Sequence, residues 1–323
     1  MNKLIKSNKI IILILLLICI IFIIQPAVYS KSCLNAISVW SISVLPVLFP
    51  FFIITRLIVN LYEIKQNKMD KFFKKVYHTP SCSTVIFFLS IISGYPMGAK
   101  LICSMYDKGH IGTQDAKRLM SFCSISGPMF IVGTVGVSIL CSYKAGLIII
   151  IANIIASLLN GLIYREKKYE KNDEINIPRH DSSNLLYDSM YDSIISILIV
   201  GGFIVFSFLL IDILKNLHII EGLSTAICSV FHLQNSTDVV SSILSGCIEM
   251  TRGIIDLSGT NISLTIKTII SSGLIGFGGV SILLQSITFI SKLKIPTTYI
   301  LKQKLTQSLL CVLVTIPLAI IFI

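Results

Sequence analysis

The sequence predicts an all-α polytopic membrane protein with about seven transmembrane helices and two re-entrant hairpins in two inverted repeats. Three observations predict it. Of the 323 residues, 54% are hydrophobic and 13% charged, the latter about half the roughly 25% usual in soluble domains, and the mean hydropathy is +0.85. The apolar residues come in unbroken runs near the ~20 residues that span a bilayer as helix, without the alternation of a membrane β-barrel. Lysine and arginine cluster between the runs, as in loops held on the cytoplasmic side. A cytosolic enzyme, a secreted disulfide scaffold and a disordered chain are all excluded.

In order, the first candidate span is 10–30, after Lys3, Lys6 and Lys9. A cleavable signal peptide competes with it, because the apolar core Ile10 to Ile24 is short and Val28-Tyr29-Ser30 resembles a cleavage site. Further apolar runs cover 40–62, 83–103, 119–142, 145–164, 193–216, 240–260, 266–291 and 300–323. Between them, 61–77 reads as an interfacial helix. Tyr62, Met69, Phe72, Phe73, Val76 and Tyr77 share one face, and Lys68, Lys71, Lys74 and Lys75 the other. A plain basic loop would give the same sidedness. Segment 165–181, with ten charged residues, reads as a solvated linker.

Charge sets the topology. With the N-terminus inside, 10–30 exits and 40–62 returns, which makes the Lys-rich 61–77 cytoplasmic. If 83–103 crossed fully, Lys108, Lys117, Arg118 and the basic linker would lie outside. A hairpin at 83–103 keeps them inside, and Ser93-Gly94-Tyr95-Pro96-Met97-Gly98 supplies the break. The second half repeats the order. Span 193–216 exits, 217–240 carries no Lys or Arg, and 240–260 forms a second hairpin around Ser245-Gly246, Glu249, Arg252 and Gly253. Span 266–291 then delivers Lys292, Lys294, Lys302 and Lys304 to the cytoplasm. The units run in opposite directions: an N-terminal transmembrane helix 1–35, a first repeat 36–164, a cytoplasmic linker 165–190 and a second repeat 191–323. Gly133-Thr134-Val135-Gly136-Val137-Ser138-Ile139-Leu140 echoes Gly276-Phe277-Gly278-Gly279-Val280-Ser281-Ile282-Leu283 as G-x-x-G-V-S-I-L.

Three blocks resemble a known family: Ser93-Gly94-Tyr95-Pro96-Met97-Gly98-Ala99-Lys100, then Tyr106-Asp107-Lys108-Gly109, then Ser126-Gly127-Pro128 with Gly133-Thr134-Val135-Gly136-Val137. They are similar to the sporulation integral membrane protein YlbJ family, which carries a nucleoside-recognition "Gate" domain. The resemblance covers about 35–323, more loosely over Gly246 to Gly253. It implies a multi-pass protein of endospore formers, in the mother-cell membrane surrounding the forespore. It also implies transport of dipicolinic acid toward the spore.

Inverted repeats with broken helices at mid-depth are a transporter architecture, with the site between the repeats. Half-helix N-termini favour anions, which agrees with a flat dianion. The candidate substrate site is therefore Ser93, Gly94, Tyr95, Pro96, Gly98 and Lys100 from one hairpin, and Ser245, Gly246, Glu249 and Arg252 from the other. Ser126, Gly127 and Pro128 open a half-helix nearby, and Gln285 is polar inside an apolar run. Each has a plainer reading. Membrane glycines such as Gly133, Gly136, Gly276 and Gly279 serve close packing. Glu249 and Arg252, spaced i, i+3, can neutralise each other. A nucleoside or other uncharged solute, and a non-transport scaffold for envelope assembly, are the competing functions.

Enzyme signatures are missing. Gly98-Ala99-Lys100 lacks the G-x-x-x-x-G-K-[ST] spacing, and neither H-E-x-x-H nor G-x-S-x-G occurs. No catalytic residue, metal ligand or cofactor is expected. The nine cysteines form no C-x-x-C pair and read as small buried hydrophobes. Net charge +11 reflects inside loops, not nucleic acid. The expected partners are the lipid bilayer and a small-molecule anion. The coupling ion is left open, and a homo-oligomer is allowed.

Overall fold

The computed structural model describes residues 2–61, 68–165 and 184–323, and all their regular structure is helical. Helix α1 spans Asn2–Ile24. Helix α2, Pro26–Val39, starts with proline at its first position, where a missing N–H leaves no bond unmade. It passes through a π-helical turn, Trp40–Val44, into α3, Leu45–Leu61. The stretch 31–39 was expected to connect two spans. It holds no Gly or Pro to stop a helix, and Pro26–Ile58 is a single apolar stretch of 33 residues.

Helix α4, Lys68–Tyr77, is the basic amphipathic helix expected there. Its apolar residues divide between two edges. Phe73 and Tyr77 are buried, with the Phe73 ring 5.5 Å from Phe87 and the Tyr77 ring 5.0 Å from Phe122. Met69 and Phe72 stay exposed beside Lys68, Lys71, Lys74 and Lys75. Burial pushes the Tyr77 phenol above its usual range. Tyr62 and residues 166–183 of the linker lie outside the described residues, and residues 185–190 of it are already helical.

The rest of the first half is built from interrupted elements. Helices α5, Ser83–Ser93, and α6, Met97–Asp107, form the first hairpin. The run expected as one crossing at 119–142 is broken. Helix α7, Thr113–Cys123, ends in irregular backbone at 124–127, and a π-helical segment, Met129–Ile139, follows after a helical Pro128. Helix α8, Tyr143–Ile163, is N-capped by Ser142, whose hydroxyl accepts from Ala145 N–H at 3.2 Å.

The second half begins with α9, Leu185–Asn216, and α10, Ile219–Val230. Helices α11, Thr237–Ile248, and α12, Met250–Ser258, meet at an extended Glu249. Helices α13, Leu264–Phe277, and α14, Gly279–Phe289, meet at Gly278 in the left-handed region. Helix α15 is Thr297–Phe322. Five stretches among the described residues are long and apolar enough to cross a membrane: Pro26–Ile58, Tyr143–Ile163, Leu185–Asn216, Leu264–Phe289 and Thr297–Phe322. The chain is a polytopic helical membrane protein.

Small residues set the close approaches. A Cβ on Gly201 of α9 would lie 2.7 Å from the Trp40 ring, so the two long helices meet there. Gly136 faces Gly146 of α8, and Gly276 of α13 faces Ser308 and Cys311 of α15. Gly133, grouped with these from sequence, has nothing within 4 Å of its Cβ position. Polar side chains reinforce the contacts. Asn160 of α8 donates to the Ser121 and Gln303 carbonyls at 2.7 and 3.1 Å, and Ser308 donates to the Gly273 carbonyl at 2.7 Å. Without water to compete, such bonds tie helices that apolar contact alone would not hold.

Candidate functional site

Three of the interruptions, at Tyr95, Ser126–Gly127 and Glu249, open on one cavity of about 50 Å³, part of it open to one side, and α14 lines it beyond the fourth. Tyr95 lines it from the first hairpin, and Ser126 and Gly127 from the α7 break. Glu249, Met250 and Thr251 come from the second hairpin, and Ile282 and Gln285 from α14. The remaining wall is mostly apolar, with Val44, Val47 and Leu48 on one long helix and Val200 and Ile204 on the other.

Gly94 and Gly127 bring the first two interruptions together. Gly94 sits at φ 72°, ψ −167°, backbone that is essentially glycine-only. Its Cβ position is 2.4 Å from Gly127 N. The second hairpin meets α14 in the same manner, with the Cβ position of Gly279 3.0 Å from the Ile248 carbonyl oxygen and 3.1 Å from that of Gly246. The positions touching a hairpin are thus Gly127 in one half and Gly279 in the other. The eight-residue echo instead pairs Gly136 with Gly279, two glycines with different neighbours.

Five of the sequence candidates line the cavity: Tyr95, Ser126, Gly127, Glu249 and Gln285. Gln285 donates to the Ser281 hydroxyl at 3.3 Å. The others stand behind this shell. Ser93 and Thr55 hydroxyls share a 2.8 Å bond. Pro96 precedes the first turn of α6, and Gly98 presses on the Cys123 carbonyl. Pro128 stands at the N-cap of the π-helical segment. Lys100 turns to α9, donating to the Asp192 carbonyl at 3.0 Å and to the Ser196 hydroxyl, while Arg56 pairs with the Asp192 carboxylate at 2.5 Å. Ser245 and Gly246 lie within α11, before the break itself. Gly246 receives Gly253 of α12, whose Cβ position is 2.2 Å from the Gly246 Cα.

The expected side-chain pair of Glu249 and Arg252 does not form. Glu249 is 2% exposed and caps α12, accepting from the Arg252 main-chain N–H at 2.7 Å. The Arg252 guanidinium points to α9 and along its own helix. It binds Asp212 at 2.8 Å and Asp256 at 3.1 Å, over the Phe208 ring at 5.5 Å. The helix break turns Glu249 out of the helical register that i, i+3 pairing assumes.

Sequence reading missed Lys304, counted there among cytoplasmic lysines. It is 2% exposed, and its ammonium donates to the hydroxyl of Tyr95, a cavity residue, at 2.8 Å. The usable signal was its position inside the apolar run 300–323. No histidine lines the cavity. Burial, then the neighbouring Lys108 ammonium, pushes His110 below its usual range.

A cavity lined by three helix interruptions, within helices long enough to span a bilayer, defines an integral membrane protein of the broken-helix kind. No family model and no solved structure matches the chain. It is 26% identical over 290 residues to the "Sporulation integral membrane protein YlbJ" of Bacillus subtilis (strain 168), an alignment covering 81% of this chain and 70% of that protein. The chain is a homologue of YlbJ, in agreement with the family its motif blocks resemble.

Proposed function

We propose that the chain is a secondary transporter or facilitator for a small solute, built as two inverted repeats, 36–164 and 191–323. The observation that carries this reading is the convergence of three interruptions, at Tyr95, Ser126–Gly127 and Glu249, on one cavity. A break at membrane depth strands backbone groups unless it lines a polar or water-filled space. One break could be a packing accident, but three around one space match the arrangement of a binding site between repeats. Each repeat then consists of a long helix, a short surface helix, a broken hairpin, an interrupted crossing and a final span. On this topology the α6–α7 connector is cytoplasmic. A single cysteine at position 110 should therefore resist an impermeant reagent applied outside, and strong labelling there would contradict the inversion.

The substrate we favour is a small planar dianion, dipicolinate, as the family resemblance implies. The N-terminus of α12, at Met250, and that of the π-helical segment, after Gly127, border the cavity and support an anion. On the relative's description the setting is sporulation, and the family resemblance implies the mother-cell membrane around the forespore. The Glu249 carboxylate in the same lining favours the second reading, an uncharged solute such as a nucleoside. Glu249→Gln separates them. Glutamine retains an oxygen to cap α12 but removes the like charge, whose juxtaposition opposes an anion by several kcal/mol. Uptake of dipicolinate by this variant should equal or exceed wild type. A fall of about tenfold, the equivalent of 1.4 kcal/mol, would favour the uncharged solute.

A further inference from the structure

We propose that the Lys304 ammonium is a built-in cation, occupying a monovalent-cation site at the break between α7 and the π-helical segment. Lys304 lies two turns into α15 and is among the largest fully buried side chains. A lysine near a helix end in a membrane ordinarily extends its ammonium to water. This one is held inside by three oxygens: the Ser124 carbonyl at 2.5 Å, the Tyr95 hydroxyl at 2.8 Å and the Gln307 amide oxygen at 3.3 Å. An ammonium has three donors, so the set is complete. Its nitrogen also lies 4.2 Å from the Tyr95 ring centroid.

None of the ion pairs among the described residues includes Lys304. A buried charge without a counter-charge is expensive, by several kcal/mol per ion, so the oxygens around it are the reason it stays. Their chemistry is specific. Ser124 is the C-cap of α7, where unsatisfied carbonyls and the negative end of the helix dipole collect. Such half-helix C-termini, with unwound carbonyls, hold Na⁺ in broken-helix transporters. A neutral carbonyl, hydroxyl and amide oxygen suit a dehydrated monovalent cation. Here α15 delivers that cation on a tether and joins the first hairpin, the α7 break and the last span. The junction therefore closes without a free ion. The inference rests on the break geometry and not on the solute carried, so it can fail while the transport reading stands, and the reverse.

The test is thermal unfolding of the purified full-length chain in sodium, potassium, methylammonium and choline chloride at one ionic strength. Wild type should behave alike in all four. Lys304→Ala vacates a cation-sized space. It should be weakest in choline and gain about tenfold in folded-to-unfolded ratio with methylammonium or Na⁺, as a cation at roughly ten times its Kd gives. Lys304→Met fills the space without charge and should be weakened equally in every salt. Three results would overturn the inference: cation-specific stabilisation of wild type; Lys304→Ala that is equal in all four salts, unfolded in all of them included; or Lys304→Met responding as Lys304→Ala does.

Discussion

Gly94→Val should abolish uptake while the chain still inserts into the membrane. Two effects act at this residue. A β-branched side chain at φ 72°, ψ −167° costs about 1–3 kcal/mol in backbone strain. Its Cβ would also lie 2.4 Å from Gly127 N and 2.8 Å from Gly127 Cα, and neither backbone atom can rotate away. The hairpin tip must leave the α7 break, and with it goes the wall that carries Tyr95, Ser126 and Gly127. Insertion depends on the apolar runs, which are unchanged. Gly202→Ala is the matched control, because nothing lies within 4 Å of its Cβ position. Uptake per inserted molecule is the measurement. Gly94→Val retaining more than about a tenth of wild-type flux, a loss under 1.4 kcal/mol, would mean that the break is a packing device.

Arg252→Ala should produce the largest loss of stability among the charged residues near the cavity. The guanidinium holds Asp212 of α9 and Asp256 of α12 together, and Lys215 adds a second ion pair to Asp256 at 2.6 Å. Truncation leaves Asp212 without its guanidinium partner. Breaking a fully buried pair costs about 3–5 kcal/mol. These side chains are about one-fifth exposed, so screening reduces the expected loss to about 1–3 kcal/mol. Arg252→Lys should fall between, since a single ammonium lacks the planar fork that reaches both carboxylates. Adding Asp212→Asn to Arg252→Ala should recover part of the loss, because it removes the stranded charge. Thermal melting of the purified variants checks this. An Arg252→Ala melting curve identical to wild type would contradict the structural role.

The main elements were legible because membrane segments advertise themselves by length and apolarity. The hairpin at Ser93–Gly98 was legible because Gly and Pro interrupt an apolar run, and basic residues on both flanks demanded a return. The second hairpin was found by the same charge argument. Its break was misplaced onto Ser245-Gly246, since small residues also occur where α11 meets Gly253 of α12. The interruption at Glu249 carries no Gly or Pro. Apolar runs ending at 30 and resuming at 40 predict two spans, but 31–39 holds no Gly or Pro to stop a helix and Pro26–Ile58 runs through it.

At the site, sequence found the residues that break helices and missed those that stand against the breaks from elsewhere. Tyr95, Ser126, Gly127 and Glu249 come from the interruptions themselves. Val200, Ile204 and the Val44–Leu48 wall lie on uninterrupted apolar surface, where lipid-facing and cavity-facing residues have the same composition. Lys304 was lost for the opposite reason. Charge counting assigns a lysine to the nearest loop, and only its partners Ser124, Tyr95 and Gln307 show that it is held inside.

The central claim is that a small solute passes through the cavity between the interruptions. Uptake of labelled dipicolinate and labelled uridine into proteoliposomes carrying the purified chain, with empty liposomes beside them, tests it most directly. The account predicts saturable dipicolinate entry above the empty-liposome level, and entry lost in Gly94→Val. Flux of neither solute above that level, with the protein folded and inserted, would contradict it.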